Sequence, residues 1–113
     1  MKSKYDYILL TEGFQNWLEA NHYQEAYRLS WVTQLVFFKL IHLFKLSDWS
    51  EWIQMTNTHI LQILVMGSSA FVNAKKILAE EGLIIYKEGK HGSPSKYKLN
   101  DKLDFIREAQ III

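Results

Sequence analysis

The 113-residue sequence contains no cysteine and only one proline. Without cysteine the chain has no disulfide, thiolate metal ligand or thiol nucleophile, and it fits a reducing compartment, so we expect a cytoplasmic protein. The composition is 49% hydrophobic and 14% aromatic, unlike that of a disordered segment. The length suits one domain with a real hydrophobic core.

The sequence also lacks the usual signatures of catalysis and of cofactor binding. Its four histidines, at positions 22, 42, 59 and 91, are too far apart for a zinc site. Ile84 stands where a phosphate-binding loop ending at Gly89-Lys90 needs its first glycine. Adjacent Glu80 and Glu81 fall on different parts of a helix surface, so they make a poor acid–base pair. We therefore expect no enzyme, no metal and no cofactor.

One long run, residues 52–74, has no charged residue, and its length alone would suit a membrane span. Polar side chains recur throughout it, however, and hydrocarbon would not tolerate them; among them are Gln54, Asn57, His59, Gln62 and Asn73. The apolar stretch at residues 7–10 is too short for a signal peptide. The sequence thus predicts no membrane partner.

The net charge of +1 hides an uneven distribution. Residues 57–100 hold six lysines against three glutamates, a net +3, whereas both ends of the chain are acidic. A basic segment of this size is weak evidence for a nucleic-acid partner when it stands alone.

Hydrophobic spacing predicts two helical segments in the first half of the chain. Phe14, Trp17 and Leu18 share one face of a short helix at residues 12–22, within an N-terminal arm or short helix at residues 1–22. Residues 24–46 are apolar on nearly every side, which predicts a long helix buried all round. Two interpretations stay open for that helix: it is only the core of the domain, or it also forms a homodimer contact.

A helix-turn-helix is predicted after a short strand at residues 51–55. Thr56 or Asn57 begins a helix that ends near Val65. A second helix starts at Ser68 or Ser69, runs to residue 81, and is closed by a left-handed glycine at position 82.

A β-hairpin follows, with strands at residues 83–88 and 96–100 and a basic loop at residues 89–95. The predicted fold is therefore mainly α with a small β-hairpin, a winged helix-turn-helix. We assign it to residues 23–100, followed by a C-terminal helix or the start of a linker at residues 101–113.

The second helix of the pair has the outer face that a DNA-reading helix needs. At about 100° per residue, Asn73 could pair with an adenine edge, Val72 could touch a thymine methyl, and Lys76 could reach guanine or phosphate. Ser68 and Ser69 at the helix start suit a phosphate. With the basic loop added, the candidate DNA-binding residues are Ser68, Ser69, Val72, Asn73, Lys75, Lys76, Lys90, His91, Ser93 and Lys96.

Short motifs spread over residues 17–100 form a further pattern. They are Trp17-Leu18-Glu19, Asp48-Trp49-Ser50-Glu51-Trp52, Asn57-Thr58-His59-Ile60-Leu61, Gly67-Ser68-Ser69-Ala70-Phe71-Val72-Asn73-Ala74-Lys75, Gly82-Leu83-Ile84-Ile85-Tyr86-Lys87-Glu88-Gly89-Lys90 and Ser95-Lys96-Tyr97-Lys98-Leu99. Together they resemble the N-terminal winged-helix domain of replisome organizers. These are replication initiators of phages that infect low-GC Gram-positive bacteria, and they are related to the primosomal DnaD-type proteins.

The resemblance implies binding to double-stranded DNA at repeats in a phage replication origin, in the cytoplasm of the bacterial host. It also implies that regions outside this chain recruit a helicase loader or single-strand-binding protein to initiate replication. The family commonly has basic residues early and midway in the recognition helix, where this sequence has Ser68, Ser69, Ala70 and Asn73. Two alternatives stay open: a winged-helix transcriptional regulator, and a winged helix used only for protein–protein assembly.

Overall fold

The computed structural model describes residues 3–22, 24, 29–90 and 93–112, and within them the chain is mainly helical with small antiparallel sheets. The helices are α1 (Tyr7–Asn21), α2 (Trp31–Leu46), α3 (Asn57–Leu64), α4 (Ser68–Glu80) and α5 (Asp104–Glu108). The strands are β1 (Ser3–Tyr5), β2 (Ile53–Met55), β3 (Ile84–Lys87), β4 (Ser95–Leu99) and β5 (Gln110–Ile112). The predicted mainly helical fold with a small antiparallel β element is confirmed.

Three strands form an antiparallel sheet in the order β2-β4-β3. In its register Tyr86 lies opposite Tyr97, and Lys87 lies opposite Lys96. Side chains alternate across a strand, so Tyr97 points into the core while Lys96 points to solvent. The side that carries Tyr97 is the inner sheet face, and the side that carries Lys96 is the outer sheet face.

Aromatic side chains join the helices to the inner sheet face. Phe14 of α1 contacts Phe37 and Phe38 of α2, with ring centroids 4.5 and 5.1 Å apart. Phe71 of α4 meets Tyr97 of β4 nearly edge-on at 6.2 Å. Full burial of a large apolar side chain stabilises a fold by about 1.5–3 kcal/mol, so much of the aromatic content of this chain serves its core.

The two terminal segments pack on each other. Strands β1 and β5 pair antiparallel, and α5 lies against α1 at Gly13, where an added Cβ would come within 2.9 Å of the Phe105 ring. Ile106 and Ala109 are buried beside this contact. The close approach of α5 to α1 therefore depends on glycine at position 13.

Two helices begin at residues other than those predicted. Helix α1 starts at Tyr7 instead of residue 12, because Asp6 Oδ1 accepts a hydrogen bond from the N–H of Leu9 at 3.0 Å and caps its first turn. Helix α2 starts at Trp31 instead of residue 24, because Ser30 Oγ caps it from outside. A local cap decides each helix start, whereas the hydrophobic pattern marks only the region.

The prediction that α2 is buried all round is wrong for one side of the helix. Val36 and Phe37 are fully buried, but Trp31, Leu35 and Leu46 are exposed by 79%, 47% and 69%. Such an apolar stripe is unusual on a helix that faces only water. The homodimer through α2 stays a prediction.

The uncharged run at residues 52–74 is divided among β2, α3 and the first half of α4. Over the described parts of the chain, no helix is both long enough and apolar enough to cross a membrane.

Candidate nucleic-acid interface

Helices α3 and α4 are joined by a tight turn at residues 65–67. Val65 ends α3 in the left-handed conformation, with φ 54° and ψ 54°. Lys39 Nζ, from α2, donates a hydrogen bond to the carbonyl oxygen of Leu64 at 2.7 Å and so satisfies a carbonyl that the helix end leaves free. A β-branched residue is strained in this conformation, so the packing of the flanking helices imposes the turn.

The first turn of α4 presents free backbone N–H groups. Its N-cap is Gly67, which has no side chain to accept them, and the N–H of Phe71 is the first to bond back, to Gly67 O at 3.2 Å. Ser68 and Ser69 are exposed in this turn. Hydroxyl groups beside free N–H groups at a helix start suit a phosphate oxygen.

The side chains that follow divide between two faces of α4. Phe71 and Ala74 are buried against the core. Val72 is 50% exposed, and Asn73 and Lys76 are exposed beside it. The helix thus has a fixed inner side and an outer side with one apolar, one amide and one cationic group.

Lys75 does not lie on the exposed side, which corrects its prediction as a DNA contact. Its side chain is only 4% exposed, and its ammonium group pairs with Glu88 Oε1. The same Nζ lies 5.3 Å from the ring centroid of Phe71 and 5.0 Å from that of Tyr86. A buried charge needs such partners, so Lys75 connects α4 to the end of β3.

Glu88 extends this connection across the base of the hairpin loop, residues 88–94. Ser95 Oγ donates a hydrogen bond to Glu88 Oε2 at 3.3 Å and accepts one from the N–H of Gly89 at 3.1 Å. Both ends of the loop are therefore tied to α4 through Lys75, and the loop base keeps a fixed position relative to the exposed face of that helix.

Tyr97 is buried next to this network, on the inner sheet face. Burial raises the pKa of its phenol to about 12. Tyr97 Oη has no hydrogen-bond partner within the described residues. This hydroxyl is a cost to stability and does not reach the surface.

The hairpin loop presents Lys90 and Ser93 to solvent. Its path requires glycine at position 89, because an added Cβ would come within 1.9 Å of Ser93 O. The N–H of Ser93 donates a hydrogen bond to Lys90 O at 3.0 Å and closes the turn. The predicted contact at His91 lies outside the described residues.

Lys96 is exposed on the outer sheet face, where Lys87 and Lys98 accompany it. Trp52, which the sequence pattern did not mark as a site residue, also lies on this face: the Nζ atoms of Lys87 and Lys98 lie 5.0 and 5.6 Å from its ring centroid. Alternation along the predicted strand already placed Lys96 and Lys98 together. The pairing of β2 with β4, which brings Trp52 alongside, has no signal in the hydrophobic pattern.

The chain matches no family model, no curated protein and no solved structure. Its described residues contain no group of three or more His, Cys, Asp or Glu side chains that could hold a metal ion. Eight of the predicted contact residues are exposed on α4, the loop and β4, and their hydroxyl, amide, ammonium and methyl groups suit contacts with base edges and phosphates. They are Ser68, Ser69, Val72, Asn73, Lys76, Lys90, Ser93 and Lys96.

Proposed function

We propose that residues 31–99 form a winged helix-turn-helix that binds double-stranded DNA sequence-specifically. The order of elements supports this: a helix, a strand, two helices joined by a tight turn, and a hairpin whose second strand is central in the sheet. In this interpretation α4 is the recognition helix and the hairpin loop is the wing.

The exposed side of α4 is the observation on which the proposal rests. A helix fits into the major groove, where an amide can bond both edge atoms of adenine and an apolar group can touch a thymine methyl. Asn73 and Val72 supply these groups, and Lys76, one turn further from Asn73, can reach guanine or a phosphate. The buried anchors Phe71 and Ala74 fix their direction.

The wing adds contacts that do not depend on sequence. Lys90 and Ser93 can approach a neighbouring phosphate, as can Lys96 next to the loop base. The ion pair between Lys75 and Glu88 holds the loop relative to α4, so both parts can engage one duplex without rearrangement.

We further propose that the bound sequence is a phage replication origin and that binding initiates replication. The support is the resemblance of the sequence motifs to replisome organizers; recruitment of a helicase loader or single-strand-binding protein would use regions outside this chain. A transcriptional regulator is the second candidate, because the exposed Trp31 and Leu35 on α2 offer the apolar contact that a dimeric regulator uses. Use of the fold for protein assembly alone is the third.

Selection of bound sites from random duplex DNA, followed by anisotropy titrations, tests the proposal. Asn73→Ala should weaken binding to the selected site by about 1–3 kcal/mol and leave random DNA unaffected, because it removes a base contact. Lys90→Ala should weaken binding to both DNAs and lower the salt slope by about one unit.

Matched controls lie away from the interface: Asn16→Ala on α1 for the amide and Lys102→Ala for the cation, both at exposed positions. Equal losses on selected and random DNA for Asn73→Ala would overturn the assignment of α4. The absence of any salt-sensitive complex would favour the assembly function. Repeats of the selected site near a helicase-loader gene would favour replication, and a single site at a promoter would favour regulation.

A further inference from the structure

The outer sheet face brings lysines from two strands to a tryptophan. Lys87 on β3 lies opposite Lys96 on β4, and Lys98 follows two residues later on the same side of β4. Trp52 is half-buried, and the Nζ atoms of Lys87 and Lys98 lie 5.0 and 5.6 Å from its ring centroid. Ile85, opposite Lys98, is 38% exposed on the same face.

The positive charge on this face is only partly neutralised. Glu51 pairs with Lys98 at 2.9 Å, whereas Lys87 and Lys96 have no carboxylate partner within the part of the chain that the structure describes. Like charges directly opposite each other on paired strands are destabilising. A sheet that keeps Lys87 opposite Lys96 is suited to an anionic ligand.

Trp52 orders the lysines without removing their charge. A cation over an aromatic ring is attracted by the ring quadrupole, and this interaction, unlike a carboxylate, leaves the net charge in place. Lys87 and Lys98 are thus held at the surface and remain able to meet phosphates.

The Trp52 ring favours single-stranded over double-stranded nucleic acid as the anionic ligand of this face. A duplex keeps its base faces stacked inside and would use the lysines only, leaving Trp52 and the exposed Ile85 without contacts. A single strand presents phosphates and base faces together, and single-strand sites combine cationic side chains with aromatic rings on which bases stack. We infer that the outer sheet face binds single-stranded nucleic acid, with phosphates at Lys87, Lys96 and Lys98 and a base on Trp52.

This site goes beyond the proposed duplex binding and does not depend on it. The duplex proposal rests on Asn73 and the exposed side of α4, whereas the single-strand site lies on the outer sheet face. Lys96 lies next to the wing and on the outer sheet face, and so it is left unchanged in the test.

The test measures anisotropy of a fluorescent oligothymidylate and of a duplex carrying the selected site, at two salt concentrations. Lys87→Gln combined with Lys98→Gln should weaken oligothymidylate binding about tenfold and lower its salt slope by about one unit. The matched control, Lys76→Gln combined with Lys90→Gln, removes the same charge from the proposed duplex interface. It should weaken the duplex and leave oligothymidylate binding within about twofold.

Replacement of the indole separates stacking from charge. Trp52→Leu should weaken oligothymidylate binding about fivefold or more, and Trp52→Phe should retain most of it, because phenylalanine still offers a stacking surface. Thermal unfolding of each variant checks the fold, and the lysine pairs decide the test if Trp52→Leu does not fold.

Three results would overturn the inference. The wild-type chain fails to bind oligothymidylate at low salt, both lysine pairs weaken it equally, or the Lys87/Lys98 pair weakens the duplex as much as the single strand. The last result would make the outer sheet face part of the duplex footprint. If no duplex site is selected but the Lys87/Lys98 pair still weakens oligothymidylate binding, the proposed duplex function is overturned and the single-strand site is not.

Discussion

On the inner side of the three-stranded sheet, the ammonium group of Lys75 lies near Tyr86 and is neutralised by Glu88. On the outer side, Lys87 and Lys98 lie near Trp52; Lys98 pairs with exposed Glu51, whereas Lys87 has no carboxylate partner within the described residues. Both arrangements combine lysine with an aromatic ring. Lys75 is buried and paired with a carboxylate, so it stabilises the fold. The exposed lysines of the outer side are mostly without such a partner, so they are available to bind a ligand.

The difference follows from desolvation. A buried ammonium loses its interactions with water, and a paired carboxylate and hydrogen bonds must offset the free energy that this costs. An exposed ammonium keeps most of its water, so the chain can leave it without a partner at small cost and make it available to a phosphate. We therefore expect removal of the Glu88 charge on the inner side to lower the free energy of unfolding, and removal of the unpaired Lys96 charge on the outer side to raise it.

The largest effect is expected for Glu88→Gln, which leaves the buried Lys75 without its counter-ion. Breaking a fully buried pair costs about 3–5 kcal/mol; because the Glu88 side chain is 51% exposed, we expect a loss nearer to about 2 kcal/mol. The matched control, Glu51→Gln, breaks the exposed pair with Lys98 and should cost less than about 1 kcal/mol. Urea unfolding of both variants measures the difference.

Combining Glu88→Gln with Lys75→Met should recover part of the lost stability, because the unpaired charge is then removed as well. Equal losses for Glu88→Gln and Glu51→Gln would contradict the distinction between the two sides of the sheet. A double variant less stable than Glu88→Gln would show that Lys75 stabilises the fold through its ring contacts more than through the ion pair.

A smaller effect of opposite sign is expected for Tyr97→Phe, which removes the buried hydroxyl without a partner. Its removal should raise the free energy of unfolding by about 1 kcal/mol at pH 7. Tyr5→Phe is the control and should lose about 1 kcal/mol, because Tyr5 Oη accepts a hydrogen bond from Gln110 at 3.2 Å.

The pH dependence provides a second measurement on Tyr97. Burial raises its pKa from 10 to about 12, so the folded state holds the phenol proton more tightly than the unfolded state does. Stability is therefore insensitive to this group below pH 10 and falls as pH rises from 10 towards 12. Tyr97→Phe should be less sensitive to alkaline unfolding; a variant with unchanged alkaline sensitivity would show that Tyr97 does not titrate in this range.

Local signals predicted α3, α4 and the two hairpin strands to within a residue or two. Thr56 caps α3 by accepting a hydrogen bond from the N–H of His59, and Gly82 follows α4 with φ 81°; both residue types are typical of their positions. The exposed side of α4 followed from the 3.6-residue period because its anchor Phe71 is a strong apolar signal.

The misses concern contacts between elements distant in sequence. Burial of Lys75 depends on Glu88, 13 residues later in the chain, and no helical period encodes that pairing. The exposed stripe of α2 depends on where α1 and α4 cover the helix. Because the α2 sequence is apolar on nearly all sides, its pattern could not indicate that Trp31 is exposed. The juxtaposition of Trp52 with two lysines depends on strand register, which β2 is too short to specify through alternation.

The smallest effect on stability is expected for Lys96→Gln, and its sign tests whether the lysines of the outer side, unlike Lys75, do not stabilise the fold. Lys96→Gln removes the charge opposite Lys87 without breaking an ion pair, so it should raise the free energy of unfolding by about 0.2–1 kcal/mol. The gain should shrink in high salt, because ions screen exposed charges. Lys102→Gln, at an exposed position, is the control and should change stability by less than about 0.5 kcal/mol. Destabilisation by Lys96→Gln at low salt would mean that this lysine supports the sheet, and the outer face would then resemble the inner one.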